Sequence, residues 1–276
     1  MAKISASDVK KLRDMTGAGM MDCKKALTEA NGDFDEAVAI LRKKGSKMMA
    51  KRADRDAKEG VVLAMTNDAN DKGVIVKLSC ETDFVARNEA FVDLAKEFAT
   101  IALNEFPDSR EALLEAKYNG MTINEKVTEQ VGVIGEKIEL AAYEKLEAPQ
   151  VAAYIHMGNK AAVLIGLNKD NDEYGDPGRD VAMQVAAMRP IGLDKDSVDE
   201  SVVQREIEIG MDQARQEGKP EAMLEKIARG KLNKFFKEST LMNQQFVKDN
   251  KKTVRDYLQS FDKDLTVTEF KHVTLG

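Results

Sequence analysis

The pattern that most constrains the fold is a pair of apolar runs joined by a polar loop and followed by an amphipathic segment. Residues 60–66 and 74–80 are strand-like, and the loop 67–73 between them is rich in Asn and Asp. This order is typical of a β-hairpin. From about Asn88 the apolar residues recur with the period of a helix. The hairpin and the helix together predict an α+β unit.

A similar order of elements recurs over residues 137–190. Three strands and a helix are predicted there, at 138–146, 151–156, 161–167 and 179–188. The two patterns share no convincing sequence identity. They predict two α+β core subdomains with antiparallel sheets, over residues 60–140 and 141–276.

The first part of the chain, residues 1–45, predicts three short helices. Ser5 or Ser7 can cap the first helix, and Asp33 can cap the third. The predicted helix stops contain glycine, at Gly17, Asn31-Gly32 and Gly45. These signals predict a small helical module similar to the ubiquitin-associated three-helix fold. A charged linker over residues 46–59 is predicted to join it to the first subdomain.

Two amphipathic segments over about residues 197–238 predict an antiparallel helical hairpin inserted into the second subdomain. Their apolar stripes are Val203, Ile207, Met211 and Ala214, then Leu224, Ile227, Ala228, Leu232 and Phe235. Between them, Gly218-Lys219-Pro220 supplies a helix stop and a proline suited to a helix start. A short helix at 253–261 and a strand at 265–273 are predicted to return to the second subdomain.

The charge and the cysteine and histidine content limit the functions that this chain can have. A net charge of −6 over 276 residues argues against a general nucleic-acid binder. Two cysteines and two histidines leave little material for a disulfide framework or a zinc site. No apolar run is long enough for a membrane span, and no signal-peptide pattern follows Met1. We therefore expect a cytoplasmic protein with no cofactor of its own and no membrane partner.

An enzymatic hypothesis has few candidate residues. Lys24 and Lys25 could lower the pKa of the Cys23 thiol if that thiol were exposed. Cys80 lies in an apolar strand, as core cysteines usually do. His156 could act as an acid or base, but no nucleophile lies near it in the sequence.

A binding hypothesis has better material in the N-terminal module. Met20 and Met21 are adjacent, so both cannot face a three-helix core, and methionine adapts well to a contact surface. Arg13, on the preceding helix, could bond to a carboxylate of a partner. The alternative is that one methionine packs and the other covers neighbouring surface. A related hypothesis is an adaptor whose module binds peptides or ubiquitin-like domains.

The segment Glu81-Thr82-Asp83-Phe84-Val85 lies where the second strand gives way to the following helix. Thr82 and Asp83 have side chains suited to cap that helix. Phe84 falls in the predicted turn, where a large aromatic side chain either packs inward or is offered to a partner.

Two motifs in this order resemble the bacterial translation elongation factor Ts family. The stretch from Leu12 to Leu27 is similar to the opening signature of that family, and residues 82–85 match its exchange motif. Further similar stretches are residues 134–138, 154–156, 182–187 and 230–232, with Phe235 and Phe236. The resemblance covers most of the chain, including the hairpin.

The resemblance implies a guanine-nucleotide exchange factor for the GTPase elongation factor Tu, with no catalytic chemistry of its own. Such a factor displaces GDP and magnesium so that GTP can enter. The contact residues implied are Arg13, Met20, Met21, Thr82, Asp83, Phe84, Val85, Ile134, Gly135 and His156. The first three would dock on the GTPase domain, and Phe84 would wedge between two partner helices beside the magnesium and nucleotide site.

The resemblance also carries expectations about assembly. The second subdomain would grip another domain of the partner. The hairpin is the usual site of self-association in this family and is the candidate interface of a homodimer, but its presence alone does not establish a dimer. Long members carry an extra C-terminal helical module, whereas this chain ends at Leu275-Gly276, after the last predicted strand. We therefore expect the contacts of that module to be missing or replaced, and we expect no direct nucleic-acid partner.

Overall fold

A computed structural model describes residues 4–276, so the first three residues of the predicted module lie outside the described part. The N-terminal half contains α1 (Ala6–Thr16), α2 (Met20–Glu29), α3 (Phe34–Arg52), β1 (Glu59–Thr66), β2 (Lys72–Cys80), α4 (Asp83–Ala86), α5 (Glu89–Glu105), α6 (Arg110–Leu114), β3 (Lys117–Tyr118), β4 (Met121–Thr122) and α7 (Ile123–Ile134). The C-terminal half contains β5 (Glu139–Glu147), β6 (Gln150–His156), β7 (Ala161–Leu167), α8 (Gly175–Met188), α9 (Glu200–Gln216), α10 (Leu224–Ser239), β8 (Gln245–Phe246), β9 (Asp249–Thr253), α11 (Val254–Gln259) and β10 (Val267–Thr274).

The core consists of two three-stranded antiparallel sheets, in the orders β1-β2-β5 and β10-β7-β6. Alternate side chains of each strand point to opposite faces. The facing sides of the two sheets share one apolar cluster, formed by Val62, Ala64, Ile75, Leu146, Val151, Ala162 and Leu164. Helices α5, α6 and α7 cover the outer face of the first sheet, and α8 and α11 cover the outer face of the second. The predicted α+β class with antiparallel sheets is confirmed.

Strand β5 belongs to the first sheet. It pairs with β2 from Lys72↔Glu147 to Ser79↔Glu139, so the interpretation that grouped it with β6 and β7 was wrong, and the predicted boundary at 140/141 falls inside this strand. Only two residues separate β5 from β6, which is also the length of a tight hairpin. The sequence alone could not distinguish a hairpin from a crossing between sheets.

The N-terminal module has the three helices that were predicted, but the third does not end at Gly45. Helix α3 continues to Arg52, so much of the predicted linker is helical. Gly45 lies where α3 crosses α7: a Cβ there would be 2.6 Å from the carbonyl oxygen of Thr128, and Gly132 faces it on the other helix. The glycine permits a close helix crossing and does not stop the helix. The likeness to the ubiquitin-associated fold stays a prediction.

The helical hairpin of α9 and α10 is confirmed. Gly218, with φ +72°, ends the first helix. The two helices approach closely at Gly210, where an added Cβ would lie 3.0 Å from the Cα of Ala228. The base of the hairpin is held to the second subdomain by two backbone hydrogen bonds of 2.9 Å. The N–H of Ile191 donates to the carbonyl oxygen of Ser239, and the N–H of Leu241 donates to that of Gly192.

Candidate partner-binding surface

The segment after β2 forms the short helix α4. Thr82 is its N-cap, and the Thr82 hydroxyl accepts the N–H of Val85 at 3.5 Å. Phe84 therefore lies in a helix and not in a turn, and its side chain is 85% exposed. Thr82 does not cap the longer helix α5, because Asn88 does so by accepting the N–H of Ala90. Exposure of Phe84 excludes inward packing of this aromatic ring.

The neighbours of Phe84 have different surroundings. Val85 is half-buried against the core of the first sheet, which anchors α4 from below. Asp83 forms a salt bridge with Arg87, one helical turn later, at 3.0 Å, and both side chains remain largely accessible. Because such exposed pairs contribute little free energy, the Asp83 carboxylate can give up Arg87 for another contact at small cost.

The start of α4 is held by the carboxylate of Glu136. One oxygen of Glu136 accepts the backbone N–H of Glu81 at 3.1 Å and that of Thr82 at 3.0 Å. The other accepts the hydroxyl of Thr82 at 2.7 Å. The same hydroxyl that caps α4 is thus fixed from the other side by a residue that follows α7.

Glu81 binds in turn to the segment that contains Glu136. Its carboxylate accepts the backbone N–H of Lys137 at 2.5 Å and the guanidinium groups of Arg52 at 2.6 Å and Arg55 at 2.9 Å. Burial opposes ionisation of Glu81, but these three donors together lower its pKa to about 2. We call Glu81 and Glu136, with the groups they bind, the carboxylate clamp.

A groove of about 610 Å³ connects α4 with the N-terminal module and α7. Its walls include Val85, Ile134 and Gly17. Gly135, next to Ile134, ends α7 in the left-handed region, with φ +81°, a conformation that favours glycine. The structure thus brings Val85 and Ile134 together, as two of the predicted contact residues.

The predicted docking residues of the N-terminal module are all exposed. Met20 and Met21 open helix α2 and are 58% and 65% exposed, so neither packs into the module core. Arg13 is exposed on α1 and forms no salt bridge within residues 4–276. Gly17, which ends α1 and precedes α2, is the residue of this module that lines the groove.

His156 lies at the end of β6, in the second sheet. Strand β6 begins at the β1–β2 loop, where Val151 donates its N–H to the carbonyl of Asn70 at 2.6 Å. The turn at 157–159 contacts β1, so β6 runs back along the first sheet. His156 is therefore placed toward the end of that sheet from which Cys80 leads into α4.

The surface around His156 is also apolar. His156 is exposed, and its Nδ1 lies 3.2 Å from the hydroxyl of Tyr154. Ile155 and Met157, on either side of it, are 36% and 82% exposed. Exposed apolar side chains next to a polar tip are typical of a protein contact surface.

Neither thiol has the surroundings of a reactive cysteine. Cys23 and Cys80 are both fully buried. Burial raises the pKa of the Cys23 thiol, and burial, assisted by the charge of Glu136, raises that of Cys80 to about 12. Among the described residues no group of His, Cys, Asp and Glu side chains is suited to hold a metal ion. In the same part of the chain, no helix combines the length and the apolar character required to cross a bilayer.

The clamp was missed by the sequence analysis. Glu81 and Glu136 are joined by a hydrogen bond although they are 55 residues apart in the sequence. Arg52 lies on a helix that was predicted to end earlier. No local spacing rule links such residues. The only available signal was that each glutamate adjoins a segment already predicted to face a partner.

Comparison with known proteins identifies the family. The family model described as Elongation factor TS matches residues 81–276. Proteins named Elongation factor Ts from Christiangramia forsetii and Flavobacterium psychrophilum are 55% and 52% identical over 276 residues, which is all of this chain and all of each relative. One from a Hydrogenobaculum species is 46% identical, with 99% of each chain covered. The similarity extends over the whole chain and includes the exposed segment of α4, and this protein therefore belongs to the elongation factor Ts family.

Proposed function

We propose that this chain promotes GDP release from elongation factor Tu, by disturbing the magnesium and nucleotide site during translation elongation in the cytoplasm. Family membership implies the exchange activity. The observation that supports the mechanism is Phe84, an aromatic side chain that is 85% exposed on a helix with a fixed start. Its apolar surface can be removed from water only by a partner.

The exchange follows from linkage between two ligands of the partner. If this chain binds nucleotide-free elongation factor Tu more tightly than the GDP-bound form, it weakens GDP binding by the same factor. Burial of one phenylalanine side chain contributes about 1.5–3 kcal/mol, equivalent to a ~10- to 150-fold change in affinity. A wedge of Phe84 that forms only in the nucleotide-free state would supply this difference.

The remaining contact residues fit a surface that spans the two sheets and the N-terminal module. Arg13, Met20 and Met21 would dock on the GTPase domain, and the Asp83 carboxylate would approach the magnesium site. Disturbing that ion weakens GDP further, because it helps to hold the phosphates. The segments around Ile134 and His156 would face the same domain, and all of these side chains need only a partner, with no bound cofactor of this chain.

The thiol-dependent enzyme alternative lacks an accessible cysteine among residues 4–276. A thiol mechanism needs an accessible thiolate, whereas Cys23 is buried and its pKa is raised. The adaptor alternative would need the module to act alone, but α3 packs along α7 of the first subdomain. The exchange hypothesis accounts for the exposed apolar side chains on both the N-terminal module and the first subdomain.

Stopped-flow release of fluorescent GDP from elongation factor Tu tests the proposal. We expect the natural protein to accelerate release and Phe84→Ala to lose about 10- to 150-fold of that acceleration. Thermal unfolding should be nearly unchanged, because the side chain contributes little to the core. Phe261→Ala, at a half-exposed phenylalanine beyond α11, is the matched control and should exchange normally.

The outcomes separate function from mechanism. Acceleration by both the natural protein and Phe84→Ala would retain the exchange function and remove the wedge. No acceleration by the natural protein, with folded protein and a matched partner, would overturn the proposed function.

A further inference from the structure

The carboxylate clamp joins three parts of the proposed contact surface at one point. Glu136 binds the backbone of residues 81 and 82, and Glu81 binds the backbone of residue 137. Each carboxylate thus fixes the segment from which the other comes. One segment leads into α4 with Phe84, and the other follows directly from Ile134 and Gly135.

The clamp also includes the end of the N-terminal module. Arg52, the last residue of α3, and Arg55 bind the Glu81 carboxylate. Lys137 donates its Nζ to the carbonyl oxygens of Ala53 at 2.8 Å and Arg55 at 3.0 Å. The helix that carries the module is therefore tied to the same two segments. Side chains of Glu81 and Arg52 are only 16% and 21% exposed, so solvent screens this pair less than the surface pairs elsewhere.

Helix α4 packs on the core of the first sheet through two half-buried side chains, Val85 and Ala86. It has four residues, none of which is fully buried, and isolated helices of this length are unstable in water. Its most exposed residue, Phe84, makes no contribution to its anchoring, and Val85 is only half-buried. Polar support at its start comes from the Thr82 cap, whose hydroxyl Glu136 fixes, and from the Cys80 thiol, which donates to the carbonyl oxygen of Thr82 at 3.2 Å.

We infer that Glu136 is a positioning residue for nucleotide exchange, which acts through Thr82 to hold Phe84 in the orientation that the partner requires. This inference rests on the proposed function. A protein whose binding-competent conformation is only partly populated binds with an affinity reduced by that fraction. Loss of the clamp therefore raises the concentration of this chain that gives half-maximal GDP release. The maximal rate is retained, because Phe84 is still present once the complex has formed.

Kinetic titration of GDP release with Glu136→Ala tests the inference. We expect the half-saturating concentration to rise at least about tenfold, because the loss of even one hydrogen bond to a charged acceptor shifts an equilibrium by about that factor. The maximal rate should stay within about twofold of the natural value. Glu136→Gln keeps an acceptor oxygen and should recover part of the affinity. Glu115→Ala is the control, since the exposed Glu115 side chain forms no hydrogen bond or salt bridge to any described residue.

A double-mutant cycle separates positioning from a general loss of stability. If Glu136 acts through Thr82, Thr82→Ala and Glu136→Ala should each raise the half-saturating concentration, and the double variant should raise it little further. Additive effects would overturn the inference. So would an unchanged half-saturating concentration in folded Glu136→Ala protein.

Hydrogen exchange of the free protein gives a test that needs no partner. We expect the backbone amides of residues 82–87 to exchange about tenfold faster in Glu136→Ala than in the natural protein, with the strands β1 and β2 unchanged. Unchanged protection of residues 82–87 would overturn the inference, even if the half-saturating concentration for GDP release rises as expected. Failure of the natural protein to release GDP, with the expected change in protection, would instead count against the proposed function and leave the clamp itself supported.

Discussion

Glu81 and Phe84 lie three positions apart, but we expect them to have different roles. Glu81 stabilises the fold, and Phe84 contributes to binding. Phe84 is 85% exposed in the folded protein, so unfolding exposes little further surface of this residue. Glu81 is largely buried and accepts hydrogen bonds from two arginines and one backbone N–H. Substitution of the first should alter binding with little effect on folding, whereas substitution of the second should alter folding.

The Glu81 carboxylate makes stability depend on pH. Its pKa is lowered from 4.5 to about 2 in the folded protein, so the folded state favours the ionised form. This contribution is fully present above the unfolded pKa and is lost as the pH falls from about 5 toward 2. We expect Glu81→Gln to lower the free energy of unfolding by about 1–3 kcal/mol at pH 7. The free energy of unfolding of this variant should also decrease less, on going from pH 7 to acid pH, than that of the natural protein.

Urea denaturation between pH 3 and pH 7 measures this dependence. The free energies of unfolding of natural and Glu81→Gln proteins should come closer together as the pH falls toward 3. Glu115→Gln, at an exposed glutamate, should follow the natural profile throughout. Parallel profiles for natural protein and Glu81→Gln would show that this carboxylate does not titrate differently on folding.

At the scale of elements, the sequence predicted local structure well and contacts between elements poorly. Strands, caps and the helical hairpin follow from periodicity and turn residues, which are properties of short stretches. Gly45 was interpreted as a helix stop, because glycine disfavours helix locally. Its place at the α3–α7 crossing depends on Thr128, which is distant in sequence. The assignment of β5 was wrong for the same reason. Its partner in the sheet is β2, which is distant in sequence, so the local pattern of β5 does not show the pairing.

Two glycines in helices allow the crossing to be tested. A Cβ on Gly45 would lie 2.6 Å from a backbone carbonyl oxygen, whereas nothing lies within 4 Å of one on Gly230 in α10. Gly45→Ala should therefore destabilise by about 1–3 kcal/mol despite its better helix propensity. Gly230→Ala should stabilise by up to about 1 kcal/mol. Chemical denaturation measures both, and equal effects would show that α3 can move away from α7 without cost.

The contact surface as a whole was predictable only in part. The adjacency of Met20 and Met21 predicted that at least one of them is exposed, and both are. Phe84 was singled out by its position after a strand. Sequence could not show that Val85, Ile134 and Gly17 line one groove, because these residues come from three elements. The carboxylate clamp escaped prediction for the same physical reason: its bonds join segments that only the tertiary fold brings together.

At the scale of the whole molecule, the helical hairpin is separable from the core. Its buried residues pack between α9 and α10 and do not belong to the clusters around the two sheets. Its ends also lie close together. Ser197 contacts Gly192, and Gly192 forms a β-bridge with Thr240. A short Gly-Ser linker can therefore replace residues 200–237, which keeps the carbonyl oxygen of Glu238 that accepts the buried Gln244 side-chain amide at 2.9 Å.

We expect this excision to leave the sheets folded, with circular dichroism reduced by the helix content of α9 and α10 alone. The surfaces around Phe84 and Met20 are unchanged in such a variant, so any loss of exchange rate would come from contacts made by the hairpin itself. If the hairpin mediates self-association, as the family resemblance implies, sedimentation should show a dimer for the natural protein and a monomer after excision. The same oligomeric state for both proteins would exclude the hairpin as the interface, and loss of cooperative unfolding after excision would show that the core depends on it.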